Sequence, residues 1–203
     1  TQQWLHVMET AHSLGMKTTS TIMYGHIETP IHWARHLLRL RALQLKTGGF
    51  TEFVPLPFVP EEAPMYLKGL SRKGPTFREA VLMHAVARLV LHGQIHNIQA
   101  SWVKMGEQGV AACLNSGAND LGGTLMNETI TRSAGAQHGQ EMPPSQMDAM
   151  IRRLARLPKQ RKTCYSEAPQ AQVDASYCAA ELTETINNPP GKIKSQGDLN
   201  RPG

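Results

Sequence analysis

Apolar positions along this chain switch repeatedly between helical and strand spacing. Over residues 1–14, Leu5, Met8 and Ala11 recur at helical intervals and Gly15 comes next as a stop, which predicts a helix. Residues 17–24 then turn β-rich (Thr-Thr-Ser-Thr-Ile-Met-Tyr) and predict a strand. After a short loop, Thr29 is a good N-cap and Pro30 suits the first helical position. Ile31, Ala34, Leu38 and Leu45 mark the expected apolar face of that helix, and Gly48-Gly49 ends it. Residues 50–57 give a second strand-like run whose prolines argue against a long regular strand. A long loop with Pro60, Pro64, Gly69, Gly74 and Pro75 comes after it, and loops of that length often carry function.

Thr76-Phe77-Arg78-Glu79 has the form of a capping box, opening a helix lined by Ala80, Met83, Ala87 and Leu91. Residues 97–103 predict a third strand, residues 107–114 a short Ala-rich helix, and residues 117–124 a fourth strand-like run. Ser145 is the expected cap of a last helix through Met147, Met150, Ile151 and Leu154, ended by Pro158. From Ser166 the pattern dissolves. Asn187-Asn188-Pro189-Pro190-Gly191 and the Pro202-Gly203 end predict a flexible tail over residues 166–203. Four strand–helix units within residues 1–165 point to an α/β fold: half of a barrel whose complete form takes about 250 residues, and the C-terminal half is the simplest reading.

Composition narrows the class without naming a chemistry. Hydrophobic residues make up 40% of the 203, as in ordinary soluble domains, and no apolar run is long enough to span a membrane. Nor does the first segment have a signal-peptide layout, so a cytoplasmic protein whose beginning lies upstream of Thr1 is expected. The net charge of +5 is spread along helices, and with 5% aromatic residues it argues weakly for nucleic acid and equally for an anionic ligand. The three cysteines, Cys113, Cys164 and Cys178, form no Cys-x-x-Cys and suggest no metal site. His32 and His36 stand at i, i+4, but Trp33 takes the place of the glutamate in a His-Glu-x-x-His motif, so a solvated face is the expected reading. The same scepticism covers His92 and His96. Met65, Met83, Met126, Met142, Met147 and Met150 are read as core or loop filler.

Several ordered blocks carry a resemblance. They are Tyr24-Gly25-His26-Ile27-Glu28-Thr29, the join from Leu43-Gln44 to Gly48-Gly49-Phe50, Phe53-Val54-Pro55-Leu56-Pro57-Phe58, and Gln99-Ala100-Ser101-Trp102-Val103-Lys104. Gly117-Ala118-Asn119-Asp120-Leu121-Gly122-Gly123-Thr124 and Gly135-Ala136-Gln137-His138-Gly139 come next, and Gln160 to Tyr165 closes the series. Together they resemble the C-terminal part of FO synthases, in the tyrosine-using subunit or domain. The resemblance implies the C-terminal half of a radical S-adenosylmethionine (SAM) TIM-type (β/α)8 barrel over residues 1–165. It also implies SAM and a [4Fe-4S] cluster as cofactors. The implied reaction joins the 4-hydroxybenzyl group of L-tyrosine to 5-amino-6-(D-ribitylamino)uracil, a step of coenzyme F-420 synthesis. The aminofutalosine synthases of menaquinone synthesis are the sister family, but their last strand carries Asp-Asp with Asp-Gly where this chain has Asn119-Asp120 with Gly122-Gly123. The family's Cys-x3-Cys-x2-Cys loop is absent here. The chain is therefore expected to be inactive alone and to need the N-terminal half of the barrel as its partner. A non-catalytic barrel fragment is the other alternative.

Strand ends supply the candidate site residues. Tyr24, His26 and Glu28 are candidates for SAM or the polar substrate, with Glu28 suited to a ribose hydroxyl. Gln99 and Ser101 share one side of the third strand by alternation. Asn119, Asp120, Gly122, Gly123 and Thr124 offer short polar arms and unshielded N–H groups. Pro57, Phe58 and Trp102 are candidate pocket walls, with core packing an equal alternative for each.

Overall fold

The computed structural model describes residues 1–125, 128–136, 138 and 141–180. Met126, Gln137, Gly139 and the Asn187–Gly191 and Pro202-Gly203 segments singled out in the sequence lie outside them. The element order begins α1 (Gln2–Ser13), β1 (Thr18–Tyr24), α2 (Pro30–Thr47), β2 (Phe50–Pro57), α3 (Pro64–Leu67) and α4 (Phe77–Leu91). It continues β3 (Asn97–Ile98), α5 (Trp102–Asn115), α6 (Ile130–Ser133), α7 (Pro144–Arg153) and α8 (Gln170–Tyr177). The three strands form one parallel sheet in the order β1-β2-β3. It is a mixed α/β fold with a small parallel sheet.

Local chemistry explains most boundaries. At the start of α2, Pro30 sits at the first helical position and the Thr29 N–H donates to His32 Nδ1 (3.1 Å), so histidine plays the part glutamate takes in a capping box. His36 Nε2 is 3.0 Å from the Thr21 carbonyl. The two histidines thus serve separate structural partners, where a merely solvated face was expected. The Thr76–Glu79 capping box forms as expected: Glu79 N–H donates to Thr76 Oγ1 (3.2 Å), Thr76 N–H to Glu79 Oε2 (2.7 Å), and Arg72 clamps the same carboxylate at 3.0 Å.

The buried face of α2 is Trp33, Leu37, Leu40, Leu43 and Gln44. Ile31, Leu38 and Leu45 are more than half exposed, and Ala34 is exposed, which corrects the expected face. Both sets are apolar and helically spaced; which of them meets the sheet is fixed by the path of β1 and β2, which spacing does not encode.

β2 runs a full eight residues despite Pro55 and Pro57. The Phe58 N–H donates to the Tyr24 carbonyl (2.8 Å), so by alternation residues 54, 56 and 58 address β1. The two proline nitrogens address the other side, where β3 pairs only at Glu52 and Phe53 and the Gln99 N–H donates to the Phe53 carbonyl (2.9 Å), so the ladder stops where Pro55 has no N–H to give.

The third strand is shorter than expected: Asn97–Ile98 runs on into extended Gln99 and Ala100, and Trp102, placed in the strand by its β propensity, opens α5. Gly106 (φ +63°) interrupts α5, and the His138 ring lies against it, closer than any Cβ would allow. That break explains why the Ala-rich pattern begins only at Glu107. The expected fourth strand contributes a single parallel bridge, Gln99 to Asp120. Pro143 caps α7, with Pro144 at its first position; Ser145 lies one residue further in. Within the expected tail, residues 170–177 form α8, whose Tyr177 hydroxyl donates to Asp148 Oδ2 (2.8 Å) on α7.

The core lies between one face of the sheet and α2, α4 and α5, built on Leu37, Leu40, Phe53, Met83, Ala87, Leu91, Ile98 and Val110. Phe53, Ile98 and Tyr24 face this core. Alternation therefore places Thr19, Glu52, Asn97, Gln99 and Asp120 on the opposite face.

Candidate functional site

Parallel strands gather side chains and loops at their C-terminal ends, so the site is built from the segments after β1, β2 and β3 and from the extended run at 119–124. After β1 the chain turns through Gly25 (φ +95°) against Pro75, where any Cβ would collide with the proline. Glu28 folds back over this turn. Its carboxylate accepts from the N–H groups of Gly25, His26 (3.2 Å) and Ile27 (3.1 Å) and from the Trp33 indole (2.7 Å). His26 Nδ1 lies 2.9 Å from the same carboxylate. Burial opposes ionisation of Glu28, yet these donors and His26 win and hold its pKa down at about 2. Tyr24 is fully buried on the helix side, edge-on to Trp33, and burial pushes its phenol well above the usual range. Of the three residues at this strand end, His26 alone turns toward the neighbouring loop, its ring 5.6 Å from that of Phe58.

Phe58 is half-buried and Pro57 buried. The long loop behind them is tied across the strand ends by Arg72 N–H to the His26 carbonyl (2.9 Å) and by Glu62 N–H to the Ala134 carbonyl (3.1 Å). Ser101 is buried at the N-cap of α5 without capping through its hydroxyl. Trp102 is buried and its indole donates to the Gly123 carbonyl (2.9 Å), so it braces the glycine turn. Lys104, on the first turn of α5, is half-buried with Nζ 3.4 Å from Thr131 Oγ1. Burial lowers its pKa, while Glu128 works in the other direction.

The run 119–124 divides by alternation. Asn119 turns to the helix side, where its Oδ1 accepts from the Ile98 N–H (2.9 Å) and from Arg88 (2.8 Å). Asp120 turns to the open side, where Oδ1 accepts from Gly122 N–H (2.6 Å) and from Gln99 Nε2 (3.1 Å). Gly122 has φ +76°, and a Cβ there would stand 3.1 Å from the Gln99 amide; Gly123 faces open space. Thr124 is half-buried, with its carbonyl accepting from Met142 N–H (3.0 Å). Gly122→Ala is expected to cost about 1–2 kcal/mol from the left-handed backbone alone, read as a lower urea midpoint with unchanged slope.

Residues 119–124 form one wall of a cleft of about 740 Å³ whose other walls are α7 and the strap from Arg156 to Glu167. Arg161 of the strap forks onto Asp120 and reaches Glu52 Oε2 at 3.4 Å, while the Tyr165 hydroxyl donates to Glu52. Asp120 and its near neighbours are therefore brought together with Gln99, while Tyr24, Glu28 and Trp102 face the protein and Asn119, exposed at the edge of the cleft, has its amide oxygen tied to Arg88 and Ile98. The expectations missed Arg161 and Tyr165 as cleft-lining groups and Glu52 as the carboxylate that holds them. A signal for Glu52 was present: one acid stands within the apolar Phe-Thr-Glu-Phe-Val run.

Among the described residues no group of three or more His, Cys, Asp or Glu side chains is placed to hold a metal. Cys113 is buried beside His84 (3.4 Å) with its thiol pushed up to about 12 by burial, while Cys164 and Cys178 are exposed. With one cysteine buried in the core, two exposed, and no grouping of ligands among the described residues, the three cysteines do not fit an iron–sulfur site. No described helix is long and apolar enough to cross a membrane.

Residues 47–173, more than half of the chain, match the family model described as the CofH/MqnC C-terminal region. The chain belongs to that family. An FO synthase of Mycobacterium leprae is 50% identical over 166 residues, covering 82% of this chain and 19% of the relative. An FO synthase of Streptomyces coelicolor is 50% identical over 173 residues, covering 85% of this chain and 20% of the relative. The 5-amino-6-(D-ribitylamino)uracil--L-tyrosine 4-hydroxyphenyl transferase of Methanocaldococcus jannaschii is 48% identical over 165 residues, 81% of this chain and 46% of the relative. The chain thus spans about a fifth of the FO synthases and less than half of the Methanocaldococcus transferase. Within the CofH/MqnC family, the matched region includes the glycine turn at 119–124, Arg161 and Tyr165.

Proposed function

We propose that this chain is the C-terminal part of an enzyme of deazaflavin synthesis that joins the 4-hydroxybenzyl group of L-tyrosine to 5-amino-6-(D-ribitylamino)uracil. The observation that carries the reading is the 48% identity to a transferase named for those two substrates, running through a chain whose parallel strand ends converge on one face. In this reading residues 1–165 are four βα units of a TIM-type barrel, and the other half supplies the remaining strands and the iron–sulfur ligands that this chain does not provide. SAM and the cluster supply the radical chemistry; this chain's residues bind, orient and exclude water. The ligand-facing groups are His26, Gln99, Ser101, Gly123 and Thr124, with Pro57 and Phe58 as walls. Glu28, Asn119, Asp120 and Trp102 hold the loops that carry them.

The test uses a longer protein carrying this segment, with its cluster rebuilt, supplied with SAM, tyrosine and the ribitylaminouracil. Formation of the 4-hydroxybenzyl adduct is expected. Turnover only with an enolpyruvylbenzoate-type acceptor would move the chain to the menaquinone branch and overturn the reading.

A further inference from the structure

The strap between α7 and α8 crosses the sheet on the face turned away from the helices. There Arg161 joins carboxylates from two places in the sheet. Nε and Nη2 fork onto Asp120, with Nη2 to Oδ1 at 3.0 Å, and Nη2 also reaches Glu52 Oε2 at 3.4 Å. Its guanidinium carbon stands 3.9 Å over the Tyr165 ring, whose hydroxyl donates to Glu52. Glu52 Oε1 accepts in turn from Thr19 Oγ1 (2.9 Å). The network therefore runs from β1 through β2 to the last extended run, with Arg161 as its centre. A planar fork stacked on an aromatic ring holds one orientation, which a lysine would not.

The consequence falls on Gln99. A side-chain amide can present either end to a ligand, and only its neighbours decide which. Arg161 occupies both Asp120 oxygens from the strap side. Asp120 Oδ1, which Arg161 Nη2 holds at 3.0 Å, also accepts from Gly122 N–H (2.6 Å) and the Gln99 NH2 (3.1 Å). The amide nitrogen is thereby committed, which leaves Oε1 as the end offered to a ligand; a side chain on Gly122 would stand 3.1 Å from Oε1 and 3.3 Å from Nε2, so the glycine keeps the whole amide uncovered.

We propose that Arg161 is a positioning residue: through Asp120 it fixes Gln99 with its oxygen outward, as the acceptor for a ring N–H of a uracil-type ligand. The proposal rests on the reading above for the identity of that ligand.

Two readouts test it. In this chain, Arg161→Gln is expected to speed hydrogen exchange of the Gly122 amide by about tenfold or more while the Phe53 amide is unchanged; Arg161→Lys, which keeps the charge and loses the fork, falls between. Asp120→Asn together with Arg161→Gln should be no worse than Asp120→Asn alone. In the longer enzyme, Arg161→Gln is expected to raise KM for the ribitylaminouracil by about tenfold and to leave KM for tyrosine within about twofold. An unchanged Gly122 amide, a uniform acceleration of all core amides, or equal rises in both KM values overturns the proposal. An unsubstituted enzyme that makes no adduct overturns the functional reading instead, and the exchange measurement still decides the role of Arg161.

Discussion

Glu28→Ala is expected to destabilise the protein by about 4 kcal/mol, with the loss concentrated at the C-terminal end of β1. The carboxylate accepts from three consecutive backbone N–H groups and from the Trp33 indole, and its side chain is 14% exposed. Hydrogen bonds to a charged group contribute about 1.5–3 kcal/mol each, and the exposed Ile27 N–H can turn to water, so the sum falls well short of four full bonds. The same group makes stability depend on pH. Its pKa is about 2 in the folded protein against an ordinary 4.5. A depressed carboxylate pKa gives stability that is fully present above 4.5 and lost as pH falls toward 2, on the order of 3 kcal/mol. Urea unfolding between pH 2 and 5 should show that slope in the parent and lose most of it in Glu28→Ala. Parallel curves for the two proteins would remove Glu28 from its place as the keeper of this turn.

That role also shows where sequence reasoning reached and where it stopped. Boundaries written in local chemistry were legible: Thr29-Pro30, Gly48-Gly49 and the Thr76–Glu79 box stand where their residue types put them. So was the placement of Tyr24, His26 and Glu28 at a strand end. What their side chains face was not. Tyr24 takes the helix side by the pleat, and Glu28 finds N–H donors that exist only once the turn at Gly25 has formed. The family-like block from Gln160 to Tyr165 was visible, but the contacts of Arg161 and Tyr165 span 41 and 113 residues of chain. Spacing along a sequence carries no information about such closures. Trp102 and Val103 failed differently: their β propensity was overridden by a helix that buries both against the core.

Gln44→Leu is expected to cost about 3 kcal/mol, although the substitution is close in volume and more apolar. Gln44 is buried on α2, and its amide does the work of a missing strand neighbour. Nε2 donates to the Phe50 carbonyl (3.1 Å) and the Gln94 carbonyl (3.1 Å), and Oε1 accepts from the Phe50 N–H (2.8 Å). Leucine would leave three backbone groups without these partners, and each such buried group costs about 1–3 kcal/mol when water cannot reach it. The damage should reach the candidate site, because Phe50 starts β2 and Glu52, two residues on, anchors Arg161 and Tyr165. Leu45→Gln is the control. Leu45 is the next residue on the helix and 62% exposed, so it should change stability by less than about 0.5 kcal/mol. If the two variants exchanged effects, the assignment of Trp33, Leu37, Leu40 and Gln44 as the buried face of α2 would fail. The face marked by Ile31, Leu38 and Leu45 would take its place. Equilibrium unfolding in urea, with the Thr18 amide (which donates to Gly49 at the head of the sheet, 3.1 Å) followed by hydrogen exchange, separates these outcomes.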